Sequence, residues 1–357
     1  MNTVLLTGAG GSAAANVLDA LRRSGREYRV VGADSSPVRL HLSAAEARLL
    51  IPRADGGPVA YRDALLAAIE RWSVDVVHPQ PDPEVRLIGS LRSEIPAATF
   101  LPSQAALELA GDKLAFAEAM ARAAIPVPAS VPFESLADVA GKTTRLLKEH
   151  PKVWVRARSG AGSRAALPVR SGEQAEAWVE WWCAERDLSP ADFMACEFLP
   201  GREFAYQSLW QSGELVAGQA RERVEYLYGH LTPSGQTSTP AVARTVRIST
   251  VDAVACSAIR ALDPAPEGVY CVDIKEDADG CPRVTEINAG RFFTTSNFFA
   301  AAGLNMPDML VRAALGERLP PVGTSPLPPD LYWIRMVDMG YALVPGDELD
   351  AWPRAHS

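Results

Sequence analysis

Asp273, Glu286 and Asn288 have the side-chain types and the spacing to hold a metal ion. They fall in the run GVYCVDIKEDADGCPRVTEIN over 268–288. Residues 269–275 and 283–287 alternate apolar and polar side chains, which predicts two β-strands. Asp277-Ala-Asp-Gly280 supplies turn residues between them, so the pair reads as a hairpin. Residues two apart in a strand share a face. Glu286 and Asn288 therefore point the same way, and pairing can bring Asp273 beside them. Two carboxylates and a carboxamide oxygen are hard ligands that suit Mg²⁺ holding a substrate phosphate. The same residues would equally make the solvated face of an exposed hairpin.

Groups that could hold the phosphate lie upstream. Residues 153–157 read as a strand, followed by Arg158-Ser-Gly-Ala-Gly-Ser-Arg164 and a second strand over 166–169. A small-residue loop of this kind (Ser159, Gly160, Ala161, Gly162, Ser163) can fold over a polyphosphate. Its backbone N–H groups then face the anion and its glycines permit close approach. It is not a Lys-Ser/Thr P-loop, and no helix follows it directly. Arg156 and Arg158 share a strand face, as a pair of phosphate donors would. Lys113 opens a helix that runs to about residue 124, and it too can reach a phosphate. A flexible turn with solvated cations is the plain alternative. Further on, a strand over 193–199 is broken by Pro200-Gly201 and leads into a hairpin of 203–210 and 215–221. Such a strand-to-linker passage offers backbone N–H and C=O groups to an adenine edge, and Glu203 can hold ribose hydroxyls.

These groups need elements to position them. The chain starts on a buried-type strand over 4–7, then Gly8-Ala-Gly-Gly-Ser12, a helix over 13–23 and a strand over 28–33 ending at Asp34. The Gly8-x-Gly10-x-x-Ala13 spacing fits the dinucleotide fingerprint, with Asp34 where a ribose-binding acid would stand. The glycines also serve a tight turn and close helix–strand packing with no cofactor. A helix over 61–72 and a strand over 74–78 lead to a proline-rich stretch over 79–84, expected as a rigid loop at a strand's carboxyl end. His78, Asp82 and Glu84 are substrate contacts there or, more simply, polar groups of a loop. Ser103 caps a helix that Gly111 ends. Trp178, Trp181 and Trp182 on a helix over 173–184 read as core or interface aromatics.

The 357 residues suffice for two or three compact units. At 48% hydrophobic and 22% charged, the chain has the profile of a soluble globular protein, with no run long enough to cross a bilayer and no leader-like start. Its net charge of −8 and lack of a basic run argue against nucleic acid or an anionic membrane as main partner. The five cysteines are odd in number and lack zinc or redox spacing, which points to a reducing cytoplasm. Residues 319–329 are proline-rich and read as a linker or extended arm.

Taken in order, these motifs resemble the ATP-grasp superfamily, in the branch of the carbamoyl-phosphate-synthase large subunit and biotin carboxylase, over residues 1 to about 318. The resemblance implies an α/β and α+β chain. A doubly wound, Rossmann-like pre-ATP-grasp domain (1–102) would precede a two-lobed ATP-grasp fold: a nucleotide-binding lobe with the glycine-rich loop (103–196) and a lobe with the metal site (197–320). An extension (321–357) would follow. That extension, with Trp333, Tyr341 and Trp352, carries no readable motif and is expected to pack on the N-terminal domain or a second subunit. The resemblance further implies that Lys113 and Arg156 contact phosphate and that 159–163 closes over the triphosphate. It implies that Glu197, Phe198 and Leu199 form the adenine hinge and that Glu203 meets the ribose. Asp273, Glu286 and Asn288 fall on the metal positions, Glu286 bridging two Mg²⁺ ions, with Mn²⁺ as a stand-in. Many relatives carry an Arg two residues after the metal-binding Asn. Here the order is Asn288-Ala-Gly-Arg291, one residue longer, so Arg291 is the displaced candidate for the reacting phosphate or acyl group.

The expected activity is an ATP- and Mg²⁺-dependent ligase joining a small carboxylic acid to an amine through an acyl phosphate. It is expected in the cytoplasm, with no nucleic-acid or membrane partner, and as a homodimer as relatives often are. The alternatives are a bicarbonate-using carboxylase, a nicotinamide-dependent oxidoreductase built on Gly8 to Asp34, and a non-catalytic nucleotide-binding protein. The N-terminal glycine turn is kept in this branch without a nicotinamide.

Overall fold

Short apolar runs at the N-terminus build a parallel sheet. The computed structural model describes residues 1–160, 165–237, 239–337 and 341–348. Strand β1 (Asn2–Thr7), helix α1 (Ser12–Arg22), β2 (Tyr28–Asp34), β3 (Ala47–Leu50), α2 (Pro58–Trp72) and β4 (Val76–His78) give a sheet of order β3-β2-β1-β4, parallel throughout. Val4, Leu5 and Leu6 are all buried, as expected of a strand covered on both faces. The glycine turn between β1 and α1 has a packing reason. A Cβ on Gly10 would sit 2.4 Å from the Arg39 backbone oxygen. The Asp34 carboxylate accepts the N–H groups of Gly10 and Ser36, each at 2.8 Å, and so is committed to the backbone of its own turn.

The proline-rich stretch is not the loop expected over 79–84. Helix α3 (Asp82–Ser90) begins inside it. A proline in the first turn lacks only an N–H that has no helical partner anyway, and Asp82 and Glu84 favour the positive end of the helix dipole. The run therefore starts a helix. Helices α4 (Gln104–Gly111) and α5 (Lys113–Arg122) follow, capped by the side chains of Ser103 and Asp112.

A small antiparallel sheet comes next. Its strands β5 (Ser130–Pro132), β6 (Val153–Ala157), β7 (Leu167–Val169) and β8 (Phe193–Glu197) run in the order β5-β8-β6-β7. Helices α6 (Leu136–Leu147) and α7 (Gly172–Arg186) back it, and Val153, Val155, Val139, Val179 and Phe193 form its core. On α7, Trp178 packs into this core and donates its indole N–H to Ala165, while Trp181 is largely exposed.

The rest of the chain forms the large sheet. Its elements are β9 (Glu203–Gln211), β10 (Glu214–Tyr226), β11 (Pro240–Thr245), α8 (Ser249–Leu262), β12 (Gly268–Glu276), β13 (Pro282–Ala289), α9 (Ser296–Ala301), α10 (Met306–Ala314), β14 (Gly323–Thr324), β15 (Leu331–Arg335) and β16 (Tyr341–Pro345). The order is β13-β12-β9-β10-β11-β15-β16, with β14 beside β10. The C-terminal segment thus extends this sheet through β15 on β11. Trp333 anchors it, buried with its ring 6.1 Å from that of Phe298. Trp352 lies outside the described residues. Among the described residues no helix is long and apolar enough to cross a membrane.

Candidate functional site

Register on the large sheet assembles the site. Antiparallel pairing sets Asp273 opposite Glu286 on one side and Ala205 on the other, and Ala205 opposite Arg221. Directly opposed residues share a face, so one row across the sheet carries Glu286, Asp273, Ala205 and Arg221. Lys275 and Glu203 pair in the same way two residues along, with Arg223 beside them on β10. The small sheet faces these rows with Trp154 and Arg156 of β6. The two enclose a cavity of about 370 Å³.

The cavity has an apolar end and a charged end. Cys196, Phe198, Leu199, Trp154 and Pro128 line the first, where β8 runs out into the linker before β9. The Trp154 and Phe198 rings lie 6.2 Å apart, and the Lys152 ammonium sits 4.9 Å from the Phe198 ring. Glu197 ties this linker to the preceding segment, its N–H donating to the Ala129 carbonyl at 2.8 Å and its carboxylate accepting the Ala129 N–H at 3.3 Å. Glu203 stands at the junction. Arg223, Tyr226, Gln236 and Lys275 all donate to its carboxylate, which fills its acceptor sites. Burial opposes its charge, but Arg223 and Lys275 hold its pKa below the usual value.

At the charged end, Arg156 donates to Glu286 at 2.6 Å and the Lys113 ammonium lies 3.6 Å from the same carboxylate. Lys113 also donates to the Gly160 carbonyl at 2.5 Å, linking the start of α5 to the loop after β6. Burial works against the Glu286 charge, yet Lys113 and Arg156 outweigh it and hold this carboxyl well below the usual range. Asp273 goes the other way. Burial pushes it up, Arg223 offsets part of this, and the Glu286 and Glu203 charges add to the rise. Arg223 donates to one oxygen of Asp273, and the Asn288 amide donates to the other at 3.1 Å.

Arg291 reaches the same place from the loop after β13. It donates to the Asn288 carbonyl oxygen and to Asp82 at the start of α3. The additional residue between Asn288 and Arg291 is Gly290, which adopts φ +81°. A Cβ there would meet a Val85 methyl at 2.6 Å.

Among the described residues no three His, Cys, Asp or Glu side chains form a ready metal cage. The donor set nonetheless fits a hard cation. Mg²⁺ is commonly held by one or two carboxylates together with substrate phosphates, and Asp273, Glu286 and the Asn288 amide oxygen supply that chemistry. Lys113, Arg156 and Arg223 offset these carboxylates here.

Lys113, Arg156, Glu197, Phe198, Leu199 and Glu203 all line the 370 Å³ cavity, as do Gly160, Asp273, Glu286, Asn288 and Arg291. Ser159 lines a neighbouring cavity of about 250 Å³ that shares Lys113, Gly160 and Glu286. Ala161, Gly162 and Ser163 lie outside the described residues. Arg158 is not paired with Arg156. It donates to Asp112 at 2.6 Å and to the Ala191 carbonyl, bracing the α5 N-cap against β6. His78 and Glu84 are buried away from the cavity wall, Glu84 accepting the Tyr61 hydroxyl at 2.8 Å. Arg221, Arg223 and Tyr226 line the cavity although they belong to no motif. Their signal is the two-residue spacing Arg221-x-Arg223, on a strand that runs to Tyr226 and not only to Arg221.

No protein-family model and no curated protein sequence matches the chain. Solved structures do match in three dimensions. The L-amino acid ligase of Bacillus licheniformis superposes with a TM-score of 0.69 at 15% identity, over 93% of this chain and 79% of that one. A biotin carboxylase from Campylobacter jejuni, solved with β,γ-ATP, gives 0.69 at 18% identity, over 92% and 74%. The N5-carboxyaminoimidazole synthetase of Staphylococcus aureus, solved with ADP, gives 0.69 at 15% identity, over 94% and 82%. At these identities the likeness is one of fold: a mixed α/β chain with parallel and antiparallel sheets, arranged as in these ATP-grasp structures.

Proposed function

We propose that this chain is an ATP- and Mg²⁺-dependent ligase that joins a small carboxylic acid to an amine through an acyl phosphate. The observation that carries this reading is the polarity of the cleft. Its apolar end suits a purine, and its charged end brings two carboxylates and an amide oxygen together with Lys113, Arg156 and Arg291. The structural neighbours include an L-amino acid ligase and enzymes solved with ATP-like or ADP ligands, in keeping with this reading. The chain divides for this purpose into an N-terminal unit (1–102), a nucleotide lobe (103–196), a metal lobe (197–320) and a C-terminal extension (321–357).

In this reading the adenine lies between Trp154 and the linker of Glu197, Phe198 and Leu199, with Glu203 toward the ribose. Lys113 and Arg156 hold phosphate oxygens. An anion must approach a polyanion for phosphoryl transfer, so these cations offset charge and align the reacting oxygens. Asp273, Glu286 and Asn288 would hold Mg²⁺, which supplies charge neutralisation at the transferring phosphate. The acid's carboxylate oxygen attacks the γ-phosphorus and ADP leaves. The amine nitrogen then attacks the acyl carbon, phosphate departs and the nitrogen gives up a proton. In this reading residues 159–163 would shield the acyl phosphate from water.

ADP release from Mg·ATP with pooled small carboxylates and amines, with and without bicarbonate, tests the proposal. Release that requires one acid and one amine is the expected result. Release that requires bicarbonate alone would assign a carboxylase instead. No release with any pool would reject catalysis.

A further inference from the structure

Among the described residues the cations that line the cleft face carboxylates, Lys275 facing Glu203, with Arg221 the exception. Arg156 and Lys113 face Glu286, Arg223 faces Glu203 and Asp273, and Arg291 faces Asp82. Arg221 has no such partner. Its side chain is fully buried and lines the cavity. Its Nε and Nη1 have no hydrogen-bond partner, and it enters no ion pair among the described residues. It packs on aromatic rings, its guanidinium carbon 4.8 Å from the Phe293 centroid and 5.8 Å from that of Phe299. Burial, with the Arg223 charge adding and Cys271, Asp273 and Tyr226 opposing, lowers its pKa to about 9, so it remains a cation at neutral pH.

A buried guanidinium without a counter-charge is costly to keep, and ring faces offset only part of that cost. No carboxylate among the described residues pairs with it, so an anion from outside the chain would supply the partner. Its source can be read from the sheet. Lys113 and Arg156 gather over Glu286 on β13, whereas Arg221 lies on β10, three strand spacings away, or about 14 Å between backbones. A guanidinium that offers several N–H donors matches a planar carboxylate. We infer that Arg221 is the receptor for a carboxylate on the non-nucleotide substrate, which therefore enters the cleft as an anion on the side away from the Lys113 and Arg156 phosphate contacts. The anion site follows from the geometry alone; its assignment to an acid or amine substrate rests on the ligase reading.

The test compares wild type with Arg221→Met and Arg221→Lys by thermal unfolding at constant ionic strength, set with sodium chloride. Acetate, malonate and succinate are added in one series and Mg·ADP in another. The wild-type melting temperature is expected to rise with at least one carboxylate. Arg221→Met should melt no lower than wild type without ligand, lose the carboxylate shift and keep the Mg·ADP shift. Arg221→Lys, which keeps the charge but not the fork, should need about 10- to 100-fold more carboxylate for the same shift, and it carries the test alone if the Met variant does not fold. A carboxylate shift absent from wild type, or undiminished in the variants, overturns the proposal. Loss of the Mg·ADP shift with the carboxylate shift retained also overturns it, by assigning the anion to a nucleotide phosphate. Absence of the Mg·ADP shift in wild type would instead refute the ligase reading and leave the carboxylate series to decide Arg221.

Discussion

Glu286 concentrates the chemistry of the cleft in one side chain. It is the shared partner of Arg156 and Lys113, and it sits beside Asp273 across the hairpin. Its removal strips charge from the proposed metal site and leaves two cations without their carboxylate. Glu286→Ala is therefore expected to lower ADP release by about a hundredfold or more, with the far-ultraviolet circular dichroism spectrum unchanged. Activity within a few-fold of wild type would refute the metal assignment. His78 gives a second prediction at this scale. It is buried against Phe292 and hydrogen-bonded to Gln80, and burial lowers its pKa from 6.5 to about 3. The fold keeps it neutral while the unfolded chain takes up a proton below pH 6.5, so stability falls as pH drops from there toward 3. The slope is up to about 1.4 kcal/mol per pH unit from this group. Urea unfolding at pH 7 and pH 5 should show a smaller decline in His78→Gln than in wild type. Equal declines would contradict the assignment.

At the scale of elements, strand alternation made the 268–289 hairpin readable, and the structure adds the register that sets Asp273 opposite Glu286. Asp277 holds its turn by accepting the N–H groups of Asp279 and Cys281. Other elements were less legible for physical reasons. The prolines of 79–84 suggested a loop because a proline breaks a helix interior, yet in the first turn it costs nothing. The far part of β10 was missed because Arg221 to Tyr226 is polar on the face that lines the cleft, so hydrophobic alternation fades where the strand becomes functional. For the same reason Arg221 and Arg223 could not be placed from sequence. The pairing of β15 with β11 is a long-range contact that no local pattern encodes. Trp333 supplies much of its anchoring. Trp333→Ala should lower stability by about 3–5 kcal/mol in urea unfolding, and a loss under 1 kcal/mol would show that the C-terminal strands contribute little to the sheet.

For the whole molecule, the sequence reading expected an α/β and α+β chain with a doubly wound N-terminal unit before a two-lobed fold, and the structure shows a mixed α/β chain with a parallel sheet, a small antiparallel sheet and a large sheet. The three-dimensional likeness to ATP-grasp structures at 15–18% identity shows that this arrangement persists where sequence comparison finds no match. Architecture survives such divergence because burial patterns can be met by many sequences. The spacing of the glycine turn fits a dinucleotide site, but Gly10 packs on the Arg39 backbone and Asp34 binds the turn itself. We propose that the cleft between the small sheet and the large one is a metal-dependent ATP site. Calorimetric titration of the full chain with ATP, with and without Mg²⁺, and with NAD⁺ and NADP⁺, tests it most directly. ATP binding that strengthens with Mg²⁺, and no binding of either dinucleotide, is the expected result. Dinucleotide binding with no ATP binding in either condition would contradict it.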